Sequence, residues 1–132
     1  MSRVDREGPI HRSIVQWLRT AMPDALVVHI RNEINKGGWR ISKELSAAKA
    51  KGALKGAPDL MVLPWANIGP LFFEVKAEGN YADKDQKALH EKMRGLGYRV
   101  AVVRSIDDVA QYLAEWGVAT RVKSPSFTGD NP

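Results

Sequence analysis

The chain has 132 residues, a net charge of +5 at pH 7 and no cysteine. This length predicts one domain with a buried core, and the lack of cysteine excludes disulfides and thiolate-bound metals. The three histidines, His11, His29 and His90, lack the spacing of zinc ligands, so any bound metal ion is expected to be held mainly by oxygen. No apolar run approaches the roughly 20 residues that span a bilayer, and no signal-peptide core opens the chain, so we expect a soluble, cytoplasmic protein.

A helix is predicted near the start of the chain. Apolar residues recur there at helical spacing, at Ile10, Ile14, Trp17, Leu18 and Met22. Pro9 suits the first turn, where a missing N–H costs nothing, and Pro23 is expected to end the helix. Glu7 falls at the N-terminal end, in line with His11, where the helix dipole favours a carboxylate. A capping role alone would also account for Glu7.

The apolar run from Ala25 to Ile30 contains β-branched residues and predicts a strand. His29 within it could line a site or be a core histidine, and the core role is favoured because His29 has no spaced partner. After a glycine-rich break, the composition from Ser42 to Lys51 favours a second helix.

A basic segment extends from Arg31 to Lys55. It contains seven basic and two acidic residues, so it carries a net charge as large as that of the whole chain. Such a segment is typical of a surface that binds a polyanion, although a solvated helix face would have the same composition. The candidate binding residues are Arg31, Lys36, Arg40, Lys43, Lys49, Lys51 and Lys55.

From Gly56 to Lys76, two apolar runs bounded by glycine and proline predict a β-hairpin. We set its register with Pro64 opposite Leu71, which places Asp59 opposite Lys76.

In this hairpin Asp59, Glu74 and Lys76 share one patch, because strand side chains alternate between the two faces. A register slip of one residue would remove Asp59 from the patch. Polar residues in a central strand are unfavourable for packing and therefore indicate a functional site.

In the last third of the chain, Asp83 and Gln86 have the spacing of a capping box that opens a helix ending near Leu96. Its expected buried stripe is Leu89, Met93 and Leu96. The run from Tyr98 to Val103 predicts a strand, and Ser105 is expected to cap a final helix.

The predicted order is α β α β β α β α. We expect an α/β fold with a mixed sheet flanked by helices on both faces, and with the strand Leu71 to Lys76 in its interior. One domain is expected over residues 1–122, and residues 123–132 are expected to form a flexible tail.

The chemistry of the patch follows from its charges. Asp59 and Glu74 repel each other, and a hard divalent cation with oxygen ligands would relieve that repulsion. Such an ion can polarise a phosphoryl oxygen, and Lys76 would add a positive charge at the attacking water or at the phosphate. We favour this electrostatic role of Lys76 over general-base catalysis.

The chain resembles the PD-(D/E)xK nucleases, and among them the stand-alone virus-type replication-repair nuclease (VRR-NUC) domain. The resemblance extends from Glu7 to Trp116. The matching residues are Glu7, Pro58, Asp59, Glu74, Val75, Lys76 and Gln86, together with the segment from Gly95 to Ser105.

The resemblance implies a restriction-endonuclease-like core and a DNA endonuclease dependent on Mg²⁺ or Mn²⁺. Asp59, Glu74 and the Val75 carbonyl would be the metal ligands, and Lys76 would lie at the water. The implied catalytic set is Asp59, Glu74, Lys76, Gln86 and Glu7.

The resemblance also implies a homodimer that acts on branched DNA, such as four-way junctions or flaps, during replication, repair or recombination in a bacterial or phage-infected cell. The basic segment would bind the DNA backbone. Gly56 and Ala57 would let that backbone approach Asp59.

Three alternatives remain open. The chain could be a non-catalytic DNA-binding module with a nuclease fold, although such a module would be expected to lose Asp59, Glu74 or Lys76. It could be a nuclease subunit that needs a partner. It could also be an α/β domain unrelated to nucleic acid, in which Lys76 only neutralises the two carboxylates.

Overall fold

The computed structural model describes residues 5–30, 52 and 54–121. The helices are α1 (Glu7–Ala21), α2 (Lys84–Gly95) and α3 (Ile106–Glu115), and the strands are β1 (Leu26–His29), β2 (Leu60–Leu63), β3 (Leu71–Val75) and β4 (Arg99–Val103). Each lies within a predicted stretch. The predicted helix from Ser42 to Lys51 and the tail at 123–132 fall outside the described residues. In the described part of the chain, no helix has the length and apolarity needed to cross a membrane.

The four strands form one mixed sheet in the order β1-β2-β3-β4. The first two pairs are antiparallel, and β3 pairs with β4 in parallel. A parallel pair needs a crossover connection, which α2 provides. The expected mixed sheet with β3 in its interior is therefore confirmed.

The register between β2 and β3 differs from the predicted one by two residues. Leu60 pairs with Phe73 and Val62 pairs with Leu71, whereas the prediction set Pro64 opposite Leu71. The connection between the strands is therefore longer than predicted.

Two prolines account for the longer connection. Pro64 and Pro70 flank the turn, and proline has no N–H to donate to a ladder. A shift of two residues keeps every side chain on its face, so Asp59 stays with Glu74 and Lys76. Continuing the observed register by one residue places Asp59 level with Glu74 rather than with Lys76.

One face of the sheet carries the hydrophobic core beneath α1 and α3. Phe73 is fully buried, and its ring centroid lies 5.6 Å from that of Trp116, directly after α3. Ile14 and Leu18 of α1 belong to the same buried cluster. Each fully buried side chain of this size contributes about 1.5–3 kcal/mol to the free energy of unfolding.

The other face of β3 meets α2. Glu74, the neighbour of Phe73, is hydrogen-bonded to Gln86 of α2, so helices lie on both faces as expected. The predicted apolar stripe of α2 is wrong, because Leu96 is 68% exposed and the buried positions are Gln86 and His90. These polar side chains are buried because this part of the helix faces a carboxyl group.

Candidate active site

Asp59 lies directly before β2, where the ladder to β3 ends. Its Oδ2 accepts a hydrogen bond from the Val75 N–H at 2.8 Å. The next N–H, that of Lys76, donates instead to Val103 O of β4 at 3.0 Å. Because the N–H and C=O of one strand residue point to the same side, the Val75 carbonyl also lies on the side of Asp59.

Glu74 is 2% exposed. Its Oε2 accepts a hydrogen bond from Gln86 Nε2 at 3.1 Å and lies 3.6 Å from Lys76 Nζ. Burial raises the pKa of Glu74 to about 9; the charge of Asp59 acts in the same direction, and the charge of Lys76 opposes it. Without a bound cation, the two carboxyl groups therefore retain a proton at neutral pH.

The second carboxyl oxygen of Glu74 has no partner within the part of the chain that the structure describes. Neither Glu74 Oε1 nor His90 Nε2, 4.0 Å away, has a hydrogen-bond partner among the described residues. Burial lowers the pKa of His90, and the charges of Arg94 and Lys76 act in the same direction. A neutral His90 offers no positive charge to Glu74 Oε1, so this buried oxygen remains available to a cation that displaces the proton.

Gln86 forms hydrogen bonds both in the N-terminal cap of α2 and in the acidic site. Its Oε1 accepts from the Asp83 N–H at 2.9 Å, and Asp83 Oδ1 accepts from the Gln86 N–H at 2.8 Å, which confirms the predicted capping box. Its Nε2 donates to Glu74 at 3.1 Å. The helix cap and the contact with the acidic site thus use opposite ends of one amide.

Glu7 lies beside the same site. Its Oε2 accepts from the Ala77 N–H at 3.3 Å and from Asn80 Nδ2 at 3.2 Å, both in the loop after β3. Within the first turn of α1, Asp5 rather than Glu7 accepts a hydrogen bond, from the Gly8 N–H at 2.8 Å. Glu7 therefore ties α1 to the acidic site instead of acting only as a cap.

Two histidines line the same cleft, and sequence reasoning did not assign them to it. A cleft of about 360 Å³ contains Glu7, His11, His29 and Asp59 in its wall. The ring centroids of His11 and His29 are 4.6 Å apart, and burial and His29 lower the pKa of His11. The interpretation of His29 as a core residue is wrong, because the residue is exposed. The spacing of Glu7 and His11, one helical turn apart, was the available signal.

Of the predicted binding residues, only Lys55 is described. Its Nζ lies 3.0 Å from Asp85 Oδ2 at the start of α2. Arg31, Lys36, Arg40, Lys43, Lys49 and Lys51 fall outside the described residues.

Gly56 does not border an open approach to Asp59. It is buried, has φ of +88°, and a Cβ there would lie 2.8 Å from the Asp85 carbonyl oxygen. The glycine is needed because its loop packs tightly on the first turn of α2.

The donor atoms fit a hard cation. Two carboxylates and a backbone carbonyl form an oxygen set at the end of β3, and one oxygen of Glu74 lacks a partner among the described residues. Within residues 5–30, 52 and 54–121, no three His, Cys, Asp or Glu side chains cluster as a metal site. Any ion would therefore depend on two side chains, the carbonyl and water.

The fold and the site together define a restriction-endonuclease-like α/β protein. The family model described as the VRR-NUC domain matches residues 2–107. The chain is similar to a solved structure described as a VRR_NUC domain, with 26% identity and a TM-score of 0.59 over 85% of this chain and 97% of that one. It is also similar in fold to a VRR_NUC domain protein, with 22% identity and a TM-score of 0.63 over 89% and 98% of the two chains.

A search of curated proteins gave no significant match. The family match covers most of the chain, and the chain therefore belongs to the VRR-NUC family of nuclease domains.

Proposed function

We propose that the protein is a divalent-metal-dependent endonuclease that hydrolyses phosphodiester bonds in DNA. The observation that carries this proposal is the grouping of Asp59, Glu74 and Lys76 at the carboxyl end of β3, with Lys76 Nζ 3.6 Å from Glu74 Oε2. Membership of a nuclease family supports it.

Asp59, Glu74 and the Val75 carbonyl would hold the metal, which is Mg²⁺ or Mn²⁺ because hard cations prefer oxygen ligands. When bound, such an ion polarises a phosphoryl oxygen and lowers the pKa of a bound water. The hydrogen bond from the Val75 N–H fixes Asp59 Oδ2, and Gln86 fixes Glu74 Oε2. Each carboxylate thus keeps its second oxygen for the cation.

Lys76 supplies positive charge at this site. Its side chain is only 14% exposed, so its charge acts where water screens it weakly. Lys76 stabilises the negative charge that develops on the phosphate and positions the attacking water. Glu7 holds the loop after β3 through Ala77 and Asn80 and faces the cleft that leads to Asp59.

We also propose that the substrate is branched DNA and that the active form is a homodimer, as the family resemblance implies. The basic segment from Arg31 to Lys55 would hold the phosphate backbone, a contact that carries no base-sequence information.

The test compares wild type with Lys76→Ala on linear duplex, flap and four-way-junction DNA, in Mg²⁺, in Mn²⁺ and in EDTA. We expect metal-dependent cleavage of the branched substrates by wild type and at least a hundredfold loss in Lys76→Ala, roughly the cost of removing one transition-state donor. Lys76→Arg should retain activity, because it keeps the charge.

Lys92→Ala is the matched control, since Lys92 is an exposed lysine in the last turn of α2. Purified wild type that binds DNA but cleaves none of the substrates in either metal would contradict an autonomous nuclease. That result would favour a non-catalytic module or a subunit that needs a partner.

A further inference from the structure

A second group of aromatic and basic side chains lies beside the acidic site, at the end of β4; Tyr81 and Lys87 are exposed, Arg104 is half-buried and His90 is buried. Tyr81, Lys87, His90 and Arg104 line a cavity of about 440 Å³ there. None of these residues belongs to the predicted basic segment or to the metal-binding set.

This cavity is adjacent to the catalytic centre. Val75 pairs with Val103 in the parallel ladder, so Arg104, directly after β4, lies one strand away from Lys76, directly after β3. Neighbouring strands are about 4.8 Å apart. His90 in the cavity wall lies 4.0 Å from Glu74 through its Nε2 and Oε1 atoms. The cavity therefore borders the residues of the proposed cleavage site.

Tyr81 offers an aromatic surface to solvent. It is 74% exposed and does not belong to the buried cluster of the described residues. The guanidinium carbon of Arg104 lies over its ring, 5.3 Å from the centroid, and the same guanidinium donates to Asn80 O at 2.7 Å. One ring face is thus covered by a fixed cation, while the side chain remains mostly open to solvent. An exposed, oriented ring of this kind is a platform on which a nucleobase can stack.

The same cavity holds cations that can reach phosphates. Lys87 is exposed and forms no salt bridge within the described part of the chain. Arg94, by contrast, is already engaged, because it donates to Val100 O at 3.2 and 3.1 Å and lies 3.6 Å from Glu91. Lys87 and Arg104 are therefore the cations of the cavity wall that can hold a phosphate backbone.

We propose that Tyr81, Lys87 and Arg104 form a binding site for an unpaired DNA strand, with one base stacked on Tyr81 and the neighbouring phosphates on Lys87 and Arg104. This inference rests on the proposed function, because it names the part of a branched substrate that lies next to the cut. A continuous duplex cannot stack a base on Tyr81 without unpairing it, so the site favours flaps and junction arms over linear duplex.

The test measures binding separately from cleavage. Fluorescence anisotropy in EDTA follows the full-length protein with a labelled 12-nucleotide oligo-dT and with a blunt duplex of equal length. We expect Tyr81→Ala to weaken oligo-dT binding about tenfold, whereas Tyr81→Phe retains it, because stacking needs the ring and not the hydroxyl. Lys87→Ala should lower the slope of log affinity against log salt by about 0.7, which is the loss of one phosphate contact on a single strand.

Two matched controls lie outside the cavity. Trp65→Ala removes an exposed aromatic residue, 68% exposed, from the connection between β2 and β3, and Lys92→Ala removes an exposed lysine from α2. Both variants should bind oligo-dT as wild type does. All variants should keep wild-type thermal unfolding, since the altered side chains are exposed.

The proposal is overturned if wild type fails to bind oligo-dT, if Tyr81→Ala and Lys87→Ala bind it like wild type, or if the two controls lose as much affinity. Loss of duplex affinity equal to the loss of oligo-dT affinity also overturns it. Cleavage in Mg²⁺ is scored independently. Tyr81-dependent binding without cleavage rejects the nuclease and retains this site, whereas cleavage without Tyr81-dependent binding does the reverse.

Discussion

Glu74 makes the stability of the protein depend on pH. Its pKa is raised to about 9 in the folded chain by burial and by Asp59, so the folded state keeps a proton that the unfolded state releases near its ordinary pKa of 4.5. The contribution of Glu74 is therefore most favourable at low pH and is lost as the pH rises between these two values. In EDTA, we expect Glu74→Gln to gain stability over wild type with rising pH, by about 1.4 kcal/mol per pH unit at most.

Urea unfolding of both proteins in EDTA at pH 5, 6.5 and 8 checks this expectation. Glu91→Gln is the control, because the Glu91 side chain is 79% exposed on the same helix. Parallel curves for wild type and Glu74→Gln would show that folding does not raise the pKa of Glu74.

Single residues differ in how well their environment can be predicted. Asp59, Glu74 and Lys76 stand out because polar side chains in buried strands conflict with packing, and local sequence exposes that conflict. His29 carries no such signal, since a histidine in an apolar run fits a core position as well as a cleft. Its position depends on α1, which brings His11 to within 4.6 Å of it.

At the scale of elements, the loop before β2 packs closely against the first turn of α2 because Gly56 has no side chain. A Cβ at Gly56 would lie 2.8 Å from Asp85 O, and the residue has a positive φ of +88°. We expect Gly56→Ala to lower the free energy of unfolding by about 2–4 kcal/mol, because backbone strain and a steric clash both act. Since the same turn contains Gln86, cleavage activity should fall as well.

Gly69→Ala is the matched control for this change. Gly69 has a similar φ of +82°, but no atom lies within 4 Å of an added Cβ. Gly69→Ala should lower the free energy of unfolding by only about 1 kcal/mol and leave the acidic site unchanged. Equal denaturation midpoints for the two variants would mean that strain alone, and not the contact with α2, sets the cost.

The predictions of helix ends are confirmed where contacts between neighbours in sequence determine them. The Asp83 capping box and the Ser105 cap, whose Oγ accepts from the Asp108 N–H at 3.1 Å, depend on neighbours in sequence. The predicted β2–β3 register was wrong because the register depends on a hydrogen bond between residues distant in sequence, from the Val75 N–H to Asp59. The stripe of α2 was wrong for a similar reason, since a helix alone does not reveal that it will cover an acidic site.

At the scale of the whole molecule, the charge of the chain predicts how DNA binding responds to salt. Seven of its basic residues lie between Arg31 and Lys55. We expect affinity for duplex DNA to fall linearly on a log–log plot against salt, with a slope of about −0.9 for each phosphate neutralised. Anisotropy titrations between 50 and 300 mM KCl measure the slope, which should reach about −3 or steeper if several of these residues contact DNA. Affinity that is independent of salt would instead favour a domain unrelated to nucleic acid.

The overall arrangement of the sheet was predictable because few topologies accommodate a hairpin, a helix and another strand. The crossover helix α2 requires β3 and β4 to be parallel neighbours, which places their carboxyl ends at one edge. Both Lys76 and Arg104 follow strands at that edge. Such rules do not fix the path of the basic segment, because the helix predicted within it has no predicted partner in the sheet.

Gln86 serves both the helix cap and the acidic site, and this double role limits which residues can replace it without loss of function. Glutamate at this position would close the capping box as well as glutamine does, so selection for stability alone would accept either residue. Glutamate, however, would replace the donor to Glu74 with a third negative charge at the acidic site. A library selected only for thermal stability should therefore retain Gln86→Glu, whereas a library selected for DNA cleavage should lose it. The residue found at position 86 thus tells which of the two properties was selected.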